Sequence, residues 1–230
     1  MQNTNLIVFD GLPGSGKTTT AKWLTEQFQR KGMEVVYIAE NDTTHPLWWY
    51  EYWNGDEYLI PDFENIPIES FIETSLTKWR NFVGLIQKSR QKVCIESVFF
   101  QNAVAMFMMG GATPARLIEY SREVQLITYP LNPALIYFRQ NNVAGALQRI
   151  CAIRGQDFEN ELLNNMESFP YLKQRNLKGM TGVTELWQNI QKLADNLYSE
   201  YNIQKLTLET SKGEWLDYRQ QILEFLDSSI

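Results

Sequence analysis

Eight residues near the start of the chain carry the plainest chemistry. They are Gly11-Leu12-Pro13-Gly14-Ser15-Gly16-Lys17-Thr18, a complete G-x-x-x-x-G-K-[ST] pattern. Glycines at this spacing let successive backbone N–H groups turn inward around a phosphate with no Cβ in the way. A helix starting behind them adds unpaired donors and the positive end of its dipole. Lys17 then neutralises the β- and γ-phosphates, and the Thr18 hydroxyl is a ligand for Mg²⁺. The pattern predicts that the stretch from Gly11 through Thr19 binds the triphosphate of ATP.

Other charged residues fall where they could complete such a site. Glu96 ends the apolar run Val93-Cys94-Ile95, the place for an acid that holds the metal through its water shell. A solvated acid at a strand end is the alternative. Glu40 ends a second such run, and Asp10 ends the first. Ligands of doubly wound sheets collect beyond the carboxyl ends of the strands, so Asp10, Glu40 and Glu96 are expected to converge on the mouth of the site. Glu40 is the candidate base for the proton of an attacking hydroxyl. Arg149 and Arg154 lie late in a helical pattern that stops at Gly155. They read as dipole partners or, beside a phosphate loop, as a cationic lid over about 140–160 that compensates phosphate charge and excludes water.

The candidates for holding an acceptor are less sharply marked. His45, the single histidine, follows Glu40 by five residues and precedes Pro46. It would contact substrate, or it is an incidental loop residue. Trp48, Trp49, Tyr50, Tyr52, Trp53 and Tyr58 crowd the same stretch, either as core under a long connection or as the wall of a pocket. Gln101 and Asn102 follow the third strand, facing an acceptor or lining a helix. Met106, Met108 and Met109 read as core.

These residues need a frame that holds them. Short apolar runs at 6–9, 34–39, 92–96, 134–138 and 203–208 read as strands. Helical periodicity falls near 16–31, 68–90, 98–109, 114–127, 142–153, 159–173, 183–200 and 214–227. Strand, glycine loop and helix occur in the order a phosphate loop requires. Strands alternating with helices predict an α/β fold with a parallel sheet covered on both faces. The 230 residues suffice for a true core, and no linker or repeat divides them, so one domain spanning 1–230 is expected. Acceptor-binding regions are expected at about 41–90 and 98–130.

Composition narrows the partners. With 27 acidic against 21 basic residues, a net charge of −6 and no basic block, the chain's composition argues against phosphate-driven nucleic-acid binding as a main role. Cys94 and Cys151 belong to no metal-binding cluster and fit a reducing compartment. No apolar stretch is long enough for a membrane span, and a cytoplasmic location is expected. The helices flanking the third strand could supply a homodimer face.

The phosphate loop, the strands ending in Glu40 and in Glu96-Ser97, and the segment 135–155 together resemble the P-loop small-molecule kinases. The resemblance is to deoxyribonucleoside kinases first and to thymidylate kinases more distantly. It implies a three-layer P-loop NTPase fold: a five-stranded parallel sheet of order 2-3-1-4-5 with a helical lid. It also implies Glu40 as general base, Glu96 near the metal, Arg149 and Arg154 as lid arginines, and 210–215 as an adenine-contacting loop. The chain departs from the pattern where Ser97 directly follows Glu96 with no arginine between. The lid is interrupted by Cys151 and Ile153, and the third strand lacks a thymidylate kinase's Asp-Arg pair. The leading expectation is Mg-ATP-dependent phosphoryl transfer to a small-molecule hydroxyl, most of all of a nucleoside-like acceptor. A kinase acting on an antibiotic or other metabolite, a P-loop ATPase or nucleotide switch, and a non-catalytic nucleotide binder stand as alternatives.

Overall fold

The structure, a computed structural model, describes residues 4–50 and 61–227. Among them β1 (Leu6–Gly11), β2 (Val35–Ile38), β3 (Lys92–Glu96), β4 (Ala134–Arg139) and β5 (Gln204–Glu209) form one sheet. Its order is β2-β3-β1-β4-β5, with every pair parallel. This is the predicted topology, and β1 at its centre is buried along its whole length. The helices are α1 (Lys17–Arg30), α2 (Ile68–Ser89), α3 (Ala103–Met109), α4 (Pro114–Thr128) and α5 (Val143–Arg154). After them come α6 (Gln156–Ser168), α7 (Pro170–Arg175), α8 (Gly179–Glu200) and α9 (Trp215–Asp227).

Alternation along β1 sorts its side chains onto two faces. Leu6 and Val8 join Ile72, Trp79, Phe99 and Phe107 under α2, α3, α4 and α8. Ile7 and Phe9 join Leu24, Phe28 and Ile222 under α1 and α9. A third apolar cluster ties Leu12 of the glycine loop to Val143 and Leu147 of α5 and to Leu186 and Trp187 of α8. The loop is therefore seated on packed helices, and α5 is one of them.

Four boundaries differ from the periodicity. The helix expected over 98–109 begins only at Ala103, because the backbone N–H groups of Phe99, Phe100 and Gln101 turn to the Asp10 carboxylate. The pattern over 159–173 is two helices, broken at Phe169, whose extended backbone (φ −71°, ψ 141°) is what a residue before proline prefers. Helix α8 starts at Gly179, ahead of the expected 183. Strand β2 ends at Ile38, so Glu40 lies just past it instead of closing it.

Candidate active site

Register brings the carboxyl ends of the central strands level. Phe9 lies opposite Glu96, Gly11 opposite Phe138, and Ile38 opposite Ile95. Gly11 has φ +144°, and a Cβ there would stand 2.3 Å from the Phe138 carbonyl oxygen, so only glycine fits. Gly16 (φ +96°) is the N-cap of α1 and has no side-chain capping bond, which leaves the first N–H groups of the helix to an incoming anion. The Ser15 hydroxyl is buried within the loop and has no partner among the described residues. Lys17 is buried, and its ammonium donates to the Leu12 carbonyl at 3.0 Å and to Gln101 Oε1 at 2.5 Å. The loop thus holds three glycines of positive φ, a cation and an unsatisfied hydroxyl in one place.

Beyond it sit two carboxylates. Thr18 Oγ1 donates to Glu96 Oε2 at 2.5 Å, and the Tyr37 hydroxyl donates to Glu96 Oε1. Burial pushes the Glu96 carboxyl up from its ordinary range; the two hydroxyls pull it back, and the neighbouring Glu40 charge adds to the rise. Burial and the Glu96 carboxylate together push the Tyr37 phenol well up, so it stays a donor. Glu40 is gripped from the β3–α3 turn: Ser97 Oγ donates to Oε2 at 2.8 Å and Gln101 Nε2 to Oε1 at 2.7 Å. Ser97 has φ +62°, an uncommon conformation for a residue other than glycine and one that collects at functional turns. Lys17, Thr18, Glu40, Glu96 and Gln101 therefore fall, with Ser97 and Tyr37, into two adjoining hydrogen-bonded groups, Lys17–Gln101–Glu40–Ser97 and Thr18–Glu96–Tyr37.

Asp10 does not join them. It is fully buried, with its oxygens accepting from the N–H groups of Gly11, Phe99, Phe100 and Gln101 at 2.7–3.1 Å. Burial pushes its carboxyl up, against the pull of those N–H groups and of Lys17. Its role is to clamp the turn that presents Gln101, and the expectation that it opens onto the mouth is corrected.

Among the described residues Arg149 and Arg154 make no hydrogen bond or ion pair with the phosphate loop. Exposed Arg149 donates to Gln140 Oε1 at 3.1 Å, and exposed Arg154 lies 4.8 Å from the centroid of the Phe158 ring. What α5 sets against the loop is apolar: Ile150 Cβ lies 3.3 Å from where a Cβ of Gly14 would be. From 210–215 the Trp215 ring rests on Gly16, so that segment does border the phosphate loop.

His45 is buried, and its Nδ1 accepts from the Leu47 N–H at 3.2 Å within a turn. Burial lowers it to about 4. It stands 4.8 Å from the half-buried Trp48 ring, centroid to centroid. Trp49 is core, packed on Phe107 at 4.6 Å and Phe71 at 5.2 Å. Tyr52, Trp53 and Tyr58 lie outside the described residues. Met109 is buried and Met106 and Met108 pack around it, as core methionines do. Sequence reasoning missed Tyr37; a tyrosine inside a strand, whose hydroxyl needs a partner when buried, was the available signal. Two surface clefts, one between Pro61–Glu64 and α7 and one beside Cys151 and Met180, contain none of the candidate residues. The converging charges, not those clefts, mark the site.

Comparison with known proteins bears on this arrangement. Residues 1–97 match the family model described as nSTAND3, Novel STAND NTPase 3. That stretch holds the phosphate loop and strands β1 to β3, and stops at Ser97, the first residue of the turn that carries Gln101. No curated protein matches the chain. The fold is similar to that of the YorR protein from Bacillus subtilis, whose crystal structure is described as a complex with phosphorylated GDP. The two share 12% identity at a TM-score of 0.50, over 96% of this chain and 95% of that one. The chain has the P-loop NTPase fold. Among the described residues no helix is long and apolar enough to cross a membrane.

Proposed function

We propose that this chain binds a nucleoside triphosphate at 11–19 and transfers its terminal phosphoryl group to a hydroxyl of a small molecule. The observation that carries the reading is a second carboxylate, Glu40, held by Ser97 and Gln101 beside the loop lysine and apart from the Thr18–Glu96 pair. A nucleotide site alone needs only one acid, for the metal; an acid oriented beyond it is what a reaction with an O–H acceptor requires. The unsatisfied Ser15 hydroxyl and the uncapped start of α1 fit an anion at the loop. Thr18 and Glu96 offer hard oxygen ligands that would hold Mg²⁺ together with phosphate oxygens, and the ion would supply charge neutralisation there.

In this reading the acceptor oxygen forms a bond to the γ-phosphorus while the bond to the β,γ-bridging oxygen breaks. The hydroxyl proton passes to Glu40. Lys17 and the loop N–H groups compensate the charge on the phosphate oxygens. In the same reading the half-buried Trp48, its ring 4.8 Å from that of His45, is the aromatic side chain that would contact a nucleoside-like acceptor.

The match of 1–97 to an NTPase family favours a second reading, in which water is the acceptor and the chain is an ATPase or nucleotide switch. Phosphorus-31 NMR of Mg-ATP, and in parallel Mg-GTP, with pooled nucleosides and other hydroxylated molecules separates the two. A new phosphomonoester resonance that needs the acceptor pool supports transfer. Inorganic phosphate released without the pool supports hydrolysis. A triphosphate spectrum left unchanged by the protein counts against both.

A further inference from the structure

One buried side chain joins the two halves of the site. Gln101 is only 8% exposed, and its amide is polarised along one line. Its Oε1 accepts from Lys17 Nζ at 2.5 Å, and its Nε2 donates to Glu40 Oε1 at 2.7 Å. The oxygen faces the cation and the N–H₂ faces the carboxylate, so both bonds are charge-assisted and neither survives reversal of the amide. No hydrogen bond or ion pair within the described residues links Lys17 to Glu40 directly. The amide is itself tethered: the Gln101 backbone N–H donates to Asp10 Oδ1 at 3.1 Å, and Ser97 Oγ reaches Oε1 at 3.5 Å while also holding Glu40. A lysine ammonium has three N–H groups; Leu12 and Gln101 take two of them, which leaves one for a phosphate oxygen.

We infer that Gln101 is a positioning residue that fixes the phosphate-loop cation and the acceptor-side carboxylate to one another, setting the distance at which phosphoryl donor and acceptor meet. Its effect on turnover rests on the phosphoryl-transfer reading above; the Lys17–Gln101–Glu40 linkage itself does not. Freed from the amide, Lys17 still has the Leu12 carbonyl and Glu40 still has Ser97. Removing the amide should therefore misalign the pair without emptying the nucleotide site.

Two measurements test this, and the first needs no nucleotide. Urea unfolding of Lys17→Met, Glu40→Gln and the double variant gives their coupling, repeated in a Gln101→Met background that keeps the side chain's length. A coupling of about fivefold in the unfolding constant is expected with glutamine at 101, and none with methionine. The same coupling in both backgrounds would mean that the two charges communicate without the amide, and overturns the inference. The second measurement compares Gln101→Met and Gln101→Leu with wild type for Mg-ATP affinity by calorimetry and for loss of the terminal phosphoryl group in a single turnover. The expected result is a rate about tenfold lower or more with affinity changed by less than about threefold, on the scale that misplaced reacting groups show. Unchanged rates, or rate and affinity falling together with the melting temperature, contradict a positioning role. A wild-type protein that neither binds nor cleaves a triphosphate removes the functional reading and leaves the unfolding cycle to decide the linkage alone.

Discussion

The chemistry of single residues gives two sharp expectations. Glu40 meets the loop only through neutral hydrogen-bond partners, so Glu40→Gln should leave triphosphate affinity within a few-fold. Turnover should fall about 10²- to 10⁴-fold if it is the base. Calorimetry paired with a rate measurement checks this, and unchanged turnover would take the proton elsewhere. His45 makes a prediction about pH. The unfolded chain protonates it near the ordinary 6.5, whereas burial holds the folded imidazole neutral down to about 4. Its folded value is depressed, so the stability of the neutral form is full above pH ~6.5 and is lost as pH falls toward 4, by up to about 3 kcal/mol. His45→Asn keeps an acceptor for the Leu47 N–H in an Asx-type turn but does not titrate. Urea midpoints measured from pH 7 to pH 4 should fall less steeply in that variant.

At the scale of elements, the β3–α3 turn decides where Ser97 and Gln101 stand and so where Glu40 is held. Its conformation depends on Asp10, near the carboxyl end of the neighbouring central strand β1. Asp10→Asn would turn an N–H₂ group toward backbone N–H donors that now meet an oxygen. The expected loss is about 2–3 kcal/mol in urea unfolding, the cost of a buried donor left unmatched. A second anchor works at the end of α8. Lys205 Nζ donates to the carbonyls of Tyr198 and Tyr201 at 2.6 Å and of Ser199 at 3.2 Å, supplying a cation where the helix leaves carbonyls unpaired. Lys205→Met should cost about 1–2 kcal/mol, read from the same unfolding curves. Activity of the folded variant should stay near wild type, since β5 is two strands away from β1.

For the whole molecule, the seating of the loop matters most. Leu12 lies in the cluster with α5 and α8, Gly14 faces Ile150, and Gly16 carries the Trp215 ring. The loop therefore belongs to the cooperatively folded body, and whatever binds it must stabilise the fold as a whole. Mg-ATP at a hundred times its dissociation constant should add about 2.7 kcal/mol. For a chain of this length that raises the melting temperature by roughly 5–10 °C. Lys17→Met should abolish the shift, read against that variant's own unliganded melting temperature. Scanning calorimetry with and without Mg-ATP reads both, and a wild-type shift of zero would remove the nucleotide from the account.

How much could be read without coordinates follows from the range of the interactions involved. The glycine loop and the helix behind it were legible because their geometry is dictated locally: Gly11 and Gly16 adopt backbone conformations that few other residues reach, and α1 starts directly after Gly16. The strand order followed from the resemblance, and the parallel pairing from alternating apolar runs that must all be buried. Long-range contacts stayed hidden. Nothing local distinguishes Asp10, which spends its charge on a turn about ninety residues away, from Glu96, equally buried but bonded to Thr18 of the phosphate loop. Nothing local shows that Gln101 reaches Lys17 across 84 positions, or that Arg149 and Arg154 turn aside while Ile150 meets the loop. The sequence by itself determined which atoms could receive a phosphate, since backbone sterics and spacing act between neighbours. Only the tertiary structure decided which acids stand beside the loop and which is locked into a turn, because burial and hydrogen-bond partners are set by segments that meet only when the sheet closes.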